Sequence, residues 1–203
     1  MLVCIFASKS EMMHIYLSQD IWGFDLDAAL AEISEQRREQ AVKFKHELGQ
    51  RLCVLAYQLL KQGLSEVYGI EENPVFEYNE HGKPSIIGHP EICFNLSHCK
   101  EAAICAISDQ PVGVDVESVR SFNESLVRYT MNEDEIRQIE SSEDQAVAFI
   151  RLWTMKESAM KLIGTGISND MKHVLQQEGL NFETFVDAQS RFVYSICRFI
   201  VKN

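Results

Sequence analysis

The sequence predicts an α+β fold in which small antiparallel sheets pack against helices. The predicted elements run in the order strand, helices, strands, and then again strands, helices, strands. Residues 112–117 alternate apolar and polar side chains, as a half-buried strand does. Residues 144–163 instead repeat apolar side chains at a helical period of about 3.6 residues. Two similar halves are compatible with this order, although no sequence repeat requires them.

Composition excludes several classes of protein. The length of 203 residues fits one large or two small domains, and a hydrophobic content of 46% supports a core. The six cysteines form no CxxC pair, so we expect reduced thiols and a cytoplasmic protein. No apolar run reaches membrane-spanning length, and the first residues lack the features of a signal peptide. A formal net charge of −11 argues against broad nucleic-acid binding. We therefore expect no nucleic-acid partner and no membrane partner.

The first third of the chain is predicted to form two strands and two helices, at residues 1–6, 13–17, 28–33 and 48–62. Asp25 or Asp27 can cap the first helix, and Ser34 is a further N-cap candidate. Gly63 is the predicted C-terminal stop of the last helix.

Basic residues are concentrated between residues 36 and 51, where five Lys and Arg side chains outnumber two Glu. Arg37 and Arg51, with Lys43 as a third candidate, could share a face, which would suit an anionic ligand. A solvated helix face is the alternative interpretation.

The middle and the end of the chain are predicted to contain further strands and helices. The strands are expected at residues 75–78, 92–98, 102–107, 112–117, 182–186 and 192–201, with the second and third of these forming a hairpin. The helices are expected at residues 123–129, 133–140 and 144–163. Residues 79–82 read as a turn ending in glycine, residues 164–166 end the last helix, and residues 168–175 give no clear pattern.

The helix over residues 149–164 carries an unusual lysine. Its apolar stripe comprises Phe149, Leu152, Trp153, Met160 and Ile163. Lys156 falls inside this stripe, so it must either extend its ammonium to water along its methylenes or serve a site at the rim of the core. Glu157 and Lys161 lie one turn apart along the edge of the stripe, a spacing that also occurs as ordinary helix decoration.

Two carboxylates project from one face of the strand at residues 112–117. Asp115 and Glu117 share that face, and Val114 and Val116 point the other way, towards the core. Adjacent acids favour a divalent cation such as Mg²⁺, which takes carboxylate and phosphate oxygens. An exposed polar strand face is the alternative. Gly113 allows a close approach by another backbone or a ligand.

Two further polar groups could contact a phosphate. Ser97 and His98 end a strand with a hydroxyl and an imidazole, although a plain polar strand end is the alternative. Lys83 stands in a Gly-Lys-Pro turn that fits a phosphate clamp and an ordinary hairpin equally well.

Four segments taken in order resemble the 4′-phosphopantetheinyl transferases of the two-lobed, surfactin-synthetase-activating type. They are Gly-Lys-Pro at 82–84, Phe-Asn-Leu-Ser-His at 94–98, Gly-Val-Asp-Val-Glu at 113–117 and the run from Trp153 to Gly164. The resemblance extends over residues 33–166. It implies an N-terminal lobe at residues 1–109 with the coenzyme A nucleotide contacts and a C-terminal lobe at residues 110–203 with the metal and pyrophosphate site. It also implies an active site at the lobe interface of a monomer.

The same resemblance implies a reaction and the residues that perform it. The family transfers the phosphopantetheine arm of coenzyme A to a serine of an apo acyl or peptidyl carrier protein, releases adenosine 3′,5′-bisphosphate and requires magnesium. The implied metal ligands are Asp115, Glu117 and Glu157. The implied pyrophosphate contact is Lys161, with Lys156 as a further candidate. The implied contacts to the nucleotide end of coenzyme A are Lys83, Ser97 and His98, with Arg37 and Arg51 on its phosphates.

The catalytic candidates are Glu157, Lys161 and Asp115. Glu157 is the candidate general base, acting directly or through a metal-bound water, and Asp134 or Glu135 is a weaker candidate. Gln40 stands where the family often has a second lysine, so the expectation is either a weaker 3′-phosphate clamp or one completed by Lys43 or Lys45. The long helix is expected to pack Phe149, Leu152 and Trp153 against the two strand valines, so that the acids converge.

Two other functions remain open at this stage. A magnesium-dependent hydrolase could use the same acids to cleave the coenzyme A pyrophosphate with water. A non-catalytic module could bind coenzyme A or carrier proteins, although such a module has no need for three metal-binding acids.

Overall fold

The chain folds into nine strands, six α-helices and one short 3₁₀ helix within the residues that the structure describes. The structure, a computed structural model, covers residues 2–8, 11–164 and 171–200, with side chains from residue 13 onward. The strands are β1 Leu2–Ser8, β2 Glu11–Ser18, β3 Phe76–Tyr78, β4 Pro84–Ile86, β5 Cys93–His98, β6 Ala103–Ser108, β7 Val112–Ser118, β8 Leu180–Val186 and β9 Phe192–Phe199. The helices are α1 Leu26–Glu32, α2 Glu35–Val42, α3 Glu47–Tyr68, α4 Glu124–Thr130, α5 Glu133–Glu140 and α6 Gln145–Ile163, with the 3₁₀ turn at Val174–Gln176. The α+β prediction is confirmed.

Two antiparallel sheets lie between the two long helices. The first sheet has the strand order β1-β2-β6-β5 and the second has the order β7-β9-β8, while β3 and β4 form a separate hairpin. One face of the first sheet packs against α3, through Tyr16 and Ile107 among others. Its other face shares a buried cluster with Val114 and Ile196 of the second sheet. Helix α6 packs on the far face of the second sheet, so the layers run helix, sheet, sheet, helix.

The alternation along β7 places its side chains as the sequence predicts, but α6 contacts a different set of partners. Val114 and Val116 are buried between the two sheets. Phe149 and Leu152 of α6 instead pack with Val193 and with side chains of α4 and α5. The predicted packing of the helix stripe on the two strand valines is therefore wrong, because α6 lies on the opposite face of β7.

Gly113 allows α6 to approach β7 closely. A Cβ atom at this position would lie 2.0 Å from the carbonyl oxygen of Ser158 and 2.6 Å from the backbone nitrogen of Leu162. Only a residue without a side chain fits against the helix backbone here. The close approach predicted for this glycine is thus made by α6.

The predicted start signals of the first helices are confirmed, but a predicted stop is wrong. The side chains of Asp25 and Ser34 accept hydrogen bonds from backbone N–H groups of α1 and α2. Helix α3 continues through Gly63 and ends at Gly69, which has φ 68°. Gly63 is buried, and a Cβ there would lie 2.2 Å from Cδ1 of Ile107. The missing side chain therefore lets α3 pack closely on the sheet.

Helix α6 is bounded by the residues that the sequence indicates. Asp144 caps its first turn and Gly164, with φ 75°, ends it, while residues 165–166 of the predicted stop lie outside the described residues. Phe149, Leu152 and Met160 of the apolar stripe are buried, Trp153 is partly buried, and Ile163 is 37% exposed.

The described part of the chain contains no helix that is both long and apolar enough to cross a bilayer. The cysteines with described side chains are free thiols: Cys53, Cys93, Cys99, Cys105 and Cys197.

Candidate active site

Side chains of β5 connect the two sheets at the edge where the site forms. Strands β5 and β7 are edge strands of different sheets. The Asn95 side-chain oxygen accepts a hydrogen bond from the Val114 N–H at 3.0 Å, and the Ser97 hydroxyl accepts one from the Val116 N–H at 3.3 Å. Two side chains of β5 thereby satisfy donors that an edge strand would otherwise leave unpaired. The arrangement brings Ser97 next to Asp115.

Asp115 is the most buried acid of the site, at 4% exposure. Its Oδ1 accepts hydrogen bonds from Lys161 Nζ at 2.6 Å and from Ser97 Oγ at 2.9 Å. Lys161 also donates to Ser97 Oγ at 2.9 Å and to the Val114 carbonyl at 3.3 Å. Among the described residues, Asp115 Oδ2 is buried without a hydrogen-bond partner.

Glu117 and Glu157 complete a cluster of repelling carboxylates around Asp115. Burial, followed by the charge of Asp115, raises the pKa of Glu157 from 4.5 to about 7, and Lys161 lowers it only in part. Burial and Asp115 also raise the pKa of Glu117. These shifts have the cause expected of acids that share a poorly solvated region. Asp115 is therefore near enough to Glu117 and Glu157 to raise the pKa of both glutamates.

The acids suit a hard divalent cation in charge and atom type. An unpartnered buried carboxylate oxygen such as Asp115 Oδ2 is a ligand that magnesium prefers, and a cation would relieve the repulsion felt by Glu117 and Glu157. Within the described ranges, no three acidic, histidine or cysteine side chains already converge at metal-binding distance.

A cleft of about 350 Å³ opens beside this cluster. Its volume is in the range of small-molecule sites, which runs from about 300 to 1,000 Å³. Polar side chains from four parts of the fold line it: Arg37, Gln40, Lys83, Asn95, Glu157 and Lys161. Its apolar wall includes Phe76, Tyr78, Leu96 and Met160. Asn95 and Tyr78 were missed by the sequence analysis, although Asn95 lies two positions before Ser97 on the same strand face and could have been found from that spacing.

Arg37 and Arg51 do not form the shared cationic face that the sequence suggested. Arg37 reaches the cleft, but its Nε and Nη2 donate to the Cys53 carbonyl at 3.2 and 2.8 Å. Arg51 donates to the Phe24 carbonyl at 2.8 Å, packs over the Trp22 ring and is absent from the cleft lining. Each guanidinium anchors a different backbone segment.

Lys83 lines the cleft and also holds the end of α6. Its Nζ donates to the Leu162 carbonyl at 2.6 Å, and the Asn79 amide donates to the Gly164 carbonyl at 3.3 Å. A cation suits the partial negative charge of a helix C-terminus. Burial lowers the pKa of Lys83. The hairpin of β3 and β4 is thus connected to the helix that carries Glu157 and Lys161.

Ser97 and His98 differ in their surroundings. The Ser97 hydroxyl is used by Asp115, Lys161 and the Val116 N–H. His98 lies edge-on to the ring of Phe44, at 6.3 Å between ring centroids. Burial, then the charges of Arg37 and Lys161, lower the pKa of His98.

Lys156 is not at the rim of the core, and both sequence interpretations of it are wrong. The residue is 0% exposed. Its Nζ donates to Glu135 Oε2 at 2.7 Å, to the Thr130 carbonyl at 3.0 Å and to the Met171 carbonyl at 2.6 Å. Its ammonium is satisfied by protein acceptors and does not line the cleft.

The weaker candidates for a general base also lie elsewhere. Glu135 is 7% exposed, pairs with Lys156 and accepts the Asn132 N–H in a capping box. Asp134 is an exposed partner of Arg137. Neither lines the cleft.

Comparison with known proteins gives a consistent assignment. The family model described as the 4′-phosphopantetheinyl transferase superfamily matches residues 111–196. The chain is 30% identical over 160 residues to the 4′-phosphopantetheinyl transferase gsp of Aneurinibacillus migulanus, which covers 77% of this chain and 67% of that protein. It is 32% identical over 139 residues to the 4′-phosphopantetheinyl transferase psf-1 of Bacillus pumilus, a match that covers 67% of this chain and 60% of that protein. It is 28% identical over 157 residues to the 4′-phosphopantetheinyl transferase Sfp of Bacillus subtilis strain 168, a match that covers 76% of this chain and 70% of that protein. The chain belongs to the 4′-phosphopantetheinyl transferase superfamily.

Proposed function

We propose that this protein transfers the 4′-phosphopantetheine arm of coenzyme A to a serine of an apo acyl or peptidyl carrier protein, as a holo-acyl-carrier-protein synthase. The observation that carries the proposal is a cleft in which lysines and an arginine face the same space as Glu157, next to Asp115 with its free oxygen. Coenzyme A is a polyanion with a reactive pyrophosphate, and this combination of cations and acids suits such a ligand.

Within the cleft, each charged side chain is assigned a role towards the donor substrate. Lys161 contacts the pyrophosphate, at the expense of one of the hydrogen bonds that its ammonium makes within the protein. Lys83 and Arg37, which line the cleft, face the nucleotide end of the molecule, and His98, which lies outside the cleft lining, is assigned to its 3′-phosphate. Lys156 and Arg51 have no direct role in this proposal, because their charges are used inside the fold.

Asp115, Glu117 and Glu157 would hold Mg²⁺. Bound there, the ion would neutralise negative charge that accumulates on the pyrophosphate during transfer. The unpartnered Asp115 oxygen and the mutual repulsion of the acids support these ligands.

The transfer follows from how these residues orient the reactants. The carrier serine hydroxyl attacks the β-phosphorus of coenzyme A, and the bond to the bridging oxygen of the leaving adenosine 3′,5′-bisphosphate breaks. Glu157 accepts the proton of the serine hydroxyl, and Lys161 donates hydrogen bonds to the charged phosphate oxygens. Most of the rate enhancement comes from positioning and electrostatic stabilisation.

Further parts of the proposal concern organisation. Residues 1–109 supply the nucleotide contacts and residues 110–203 the metal and pyrophosphate site, so a monomer contains the complete site. The protein acts in the cytoplasm on carrier proteins and has no nucleic-acid partner.

The proposal is tested by incubating the protein with coenzyme A, magnesium and several apo carrier proteins, and weighing each carrier by mass spectrometry. We expect at least one carrier to gain one phosphopantetheine group, and the same carrier with its serine changed to alanine to stay unmodified. Consumption of coenzyme A with unchanged carriers would instead identify a pyrophosphate hydrolase. Binding of coenzyme A with neither reaction, in saturating magnesium, would identify a non-catalytic module.

A further inference from the structure

We propose that Ser97 is a positioning residue that fixes the Asp115 carboxylate so that its Oδ2 is left free for the divalent cation. The inference rests on the proposed function only in taking Asp115 as a metal ligand. It departs from the sequence-based expectation that Ser97 contacts the nucleotide of coenzyme A.

The hydrogen-bonding capacity of Ser97 is used up inside the protein. A serine hydroxyl has one donor and two acceptor positions. Ser97 Oγ donates to Asp115 Oδ1 at 2.9 Å and accepts from Lys161 Nζ at 2.9 Å and from the Val116 N–H at 3.3 Å. The side chain is 8% exposed and does not line the cleft. A nucleotide would have to break one of these bonds to reach it.

The same bonds distinguish the two oxygens of Asp115. Oδ1 accepts from both Ser97 and Lys161, whereas Oδ2 is buried with no partner among the described residues. A buried carboxylate oxygen without a donor is costly unless something else binds it. Ser97 and Lys161 together therefore hold the carboxylate by Oδ1, and Ser97 is the uncharged member of this pair of donors. Groups that orient a metal ligand in this way commonly change metal affinity when they are removed.

Asn95 offers a matched comparison on the same strand. It bridges β5 to β7 through the Val114 N–H, as Ser97 does through the Val116 N–H, and both side chains are buried. Only Ser97 also contacts Asp115. A role in joining the sheets would be shared by the two residues, whereas a role in orienting the carboxylate belongs to Ser97 alone.

The experiment compares wild type, Ser97→Ala, Ser97→Thr and Asn95→Ala in two measurements. The first is the rise in melting temperature as Mg²⁺ is added without coenzyme A or carrier, which gives a half-saturating concentration independent of activity. The second is carrier modification as a function of Mg²⁺ and, at saturating Mg²⁺, of coenzyme A.

We expect Ser97→Ala to raise the half-saturating Mg²⁺ concentration about 10-fold or more in both measurements, which is the lower end of effects seen for groups that orient metal ligands. The KM for coenzyme A at saturating Mg²⁺ stays near wild type. Ser97→Thr, which keeps the hydroxyl, recovers most of the affinity. Asn95→Ala lowers the melting temperature but leaves the half-saturating Mg²⁺ concentration unchanged.

Three results would overturn the inference: a higher KM for coenzyme A with an unchanged Mg²⁺ requirement, an equal loss of Mg²⁺ affinity in Asn95→Ala, or no effect of Mg²⁺ on the melting temperature of the wild type. If Ser97→Ala does not fold, Ser97→Cys, with its weaker donor, takes its place with the same expected direction. Carrier modification by the wild type tests the proposed function separately, so either conclusion can fail alone.

Discussion

At the scale of single residues, the clearest case is Lys156, a charge enclosed entirely by protein. An ammonium removed from water is unfavourable unless acceptors surround it. Here a carboxylate of α5, the carbonyl at the end of α4 and the Met171 carbonyl provide them. Lys156 precedes Glu157 directly, so these bonds also restrict how α6 can rotate about its axis.

Removing one member of this buried pair should be more harmful than removing both charges. Lys156→Met leaves Glu135 charged and unpaired, and we expect a loss of about 3–5 kcal/mol in the free energy of unfolding. Lys156→Met combined with Glu135→Gln, which keeps an acceptor for the Asn132 N–H, should be more stable than the single Lys156→Met variant. Urea unfolding followed by circular dichroism measures both. Additive losses in the double variant would contradict a coupled pair.

A second residue-scale prediction concerns the protonation of His98. Its pKa is lowered from 6.5 chiefly by burial, with Arg37 and Lys161 adding to the effect. A histidine with a folded pKa below its unfolded value contributes stability above pH 6.5, and that contribution is lost as the pH falls through the folded pKa. A phosphate nearby should reverse the shift, so that coenzyme A binding takes up a proton and tightens as the pH falls towards the lowered pKa.

Proton NMR titration of the His98 imidazole, identified by comparison with His98→Gln, measures this directly. We expect a midpoint below 6.5 in the free protein and a higher one with saturating coenzyme A. Coenzyme A without its 3′-phosphate should raise the midpoint less. A midpoint that coenzyme A leaves unchanged would remove His98 from the phosphate site.

At the scale of secondary structure elements, α6 organises the site because it is fixed at several points. Asp144 caps its start, and Lys83 and Asn79 donate to carbonyls at its end. Gly113 lets its backbone rest directly on β7. Glu157 and Lys161 are one turn apart, which directs both side chains towards the same side of the helix.

Gly113→Ala tests how closely α6 must approach. The added Cβ would meet the Ser158 carbonyl oxygen at 2.0 Å, and a backbone atom cannot move aside as a flexible side chain can. We expect a loss of stability of about 1–3 kcal/mol, typical of overpacking, together with slower carrier modification. Thermal unfolding and the carrier assay check the two effects. Wild-type stability in this variant would mean that α6 does not contact β7 as closely as described.

At the scale of the whole molecule, the site depends on two sheets meeting at β5 and β7. Asn95 and Ser97 come from one sheet, Asp115 from the other, and Lys161 from the helix behind it. Burial and the charge of Asp115 raise the pKa values of Glu117 and Glu157 because this assembly places the two glutamates in a poorly solvated region near Asp115.

Neutralising Asp115 or Glu157 should therefore impair the reaction without unfolding the protein. We expect Asp115→Asn and Glu157→Gln each to lower the rate of carrier modification by about 100-fold or more, as loss of an electrostatic or general-base group commonly does. Initial rates at saturating coenzyme A, with circular dichroism as a check on folding, measure the effect. Near-wild-type turnover by either variant would remove that residue from the catalytic assignment.

The sequence alone determined the α+β class and most element positions, and it singled out Lys83, Glu157 and Lys161, which line the cleft. These features follow from local patterns: the alternation in β7, the caps of α6, and four short motifs in a fixed order. The stop assigned to Gly63 failed because a glycine needed for helix-to-sheet packing looks the same in sequence as one that ends a helix.

Only the tertiary structure decided which polar groups are available to a ligand. Lys156, Arg51 and Ser97 resemble ligand-binding residues in the sequence, yet their hydrogen-bonding groups are used by backbone and side chains far away along the chain. Asp115 Oδ2 becomes the free atom of the site only when its neighbours occupy Oδ1. Residue type and spacing give the chemistry that a side chain can perform, but the partners that use up its donors and acceptors are set by long-range packing.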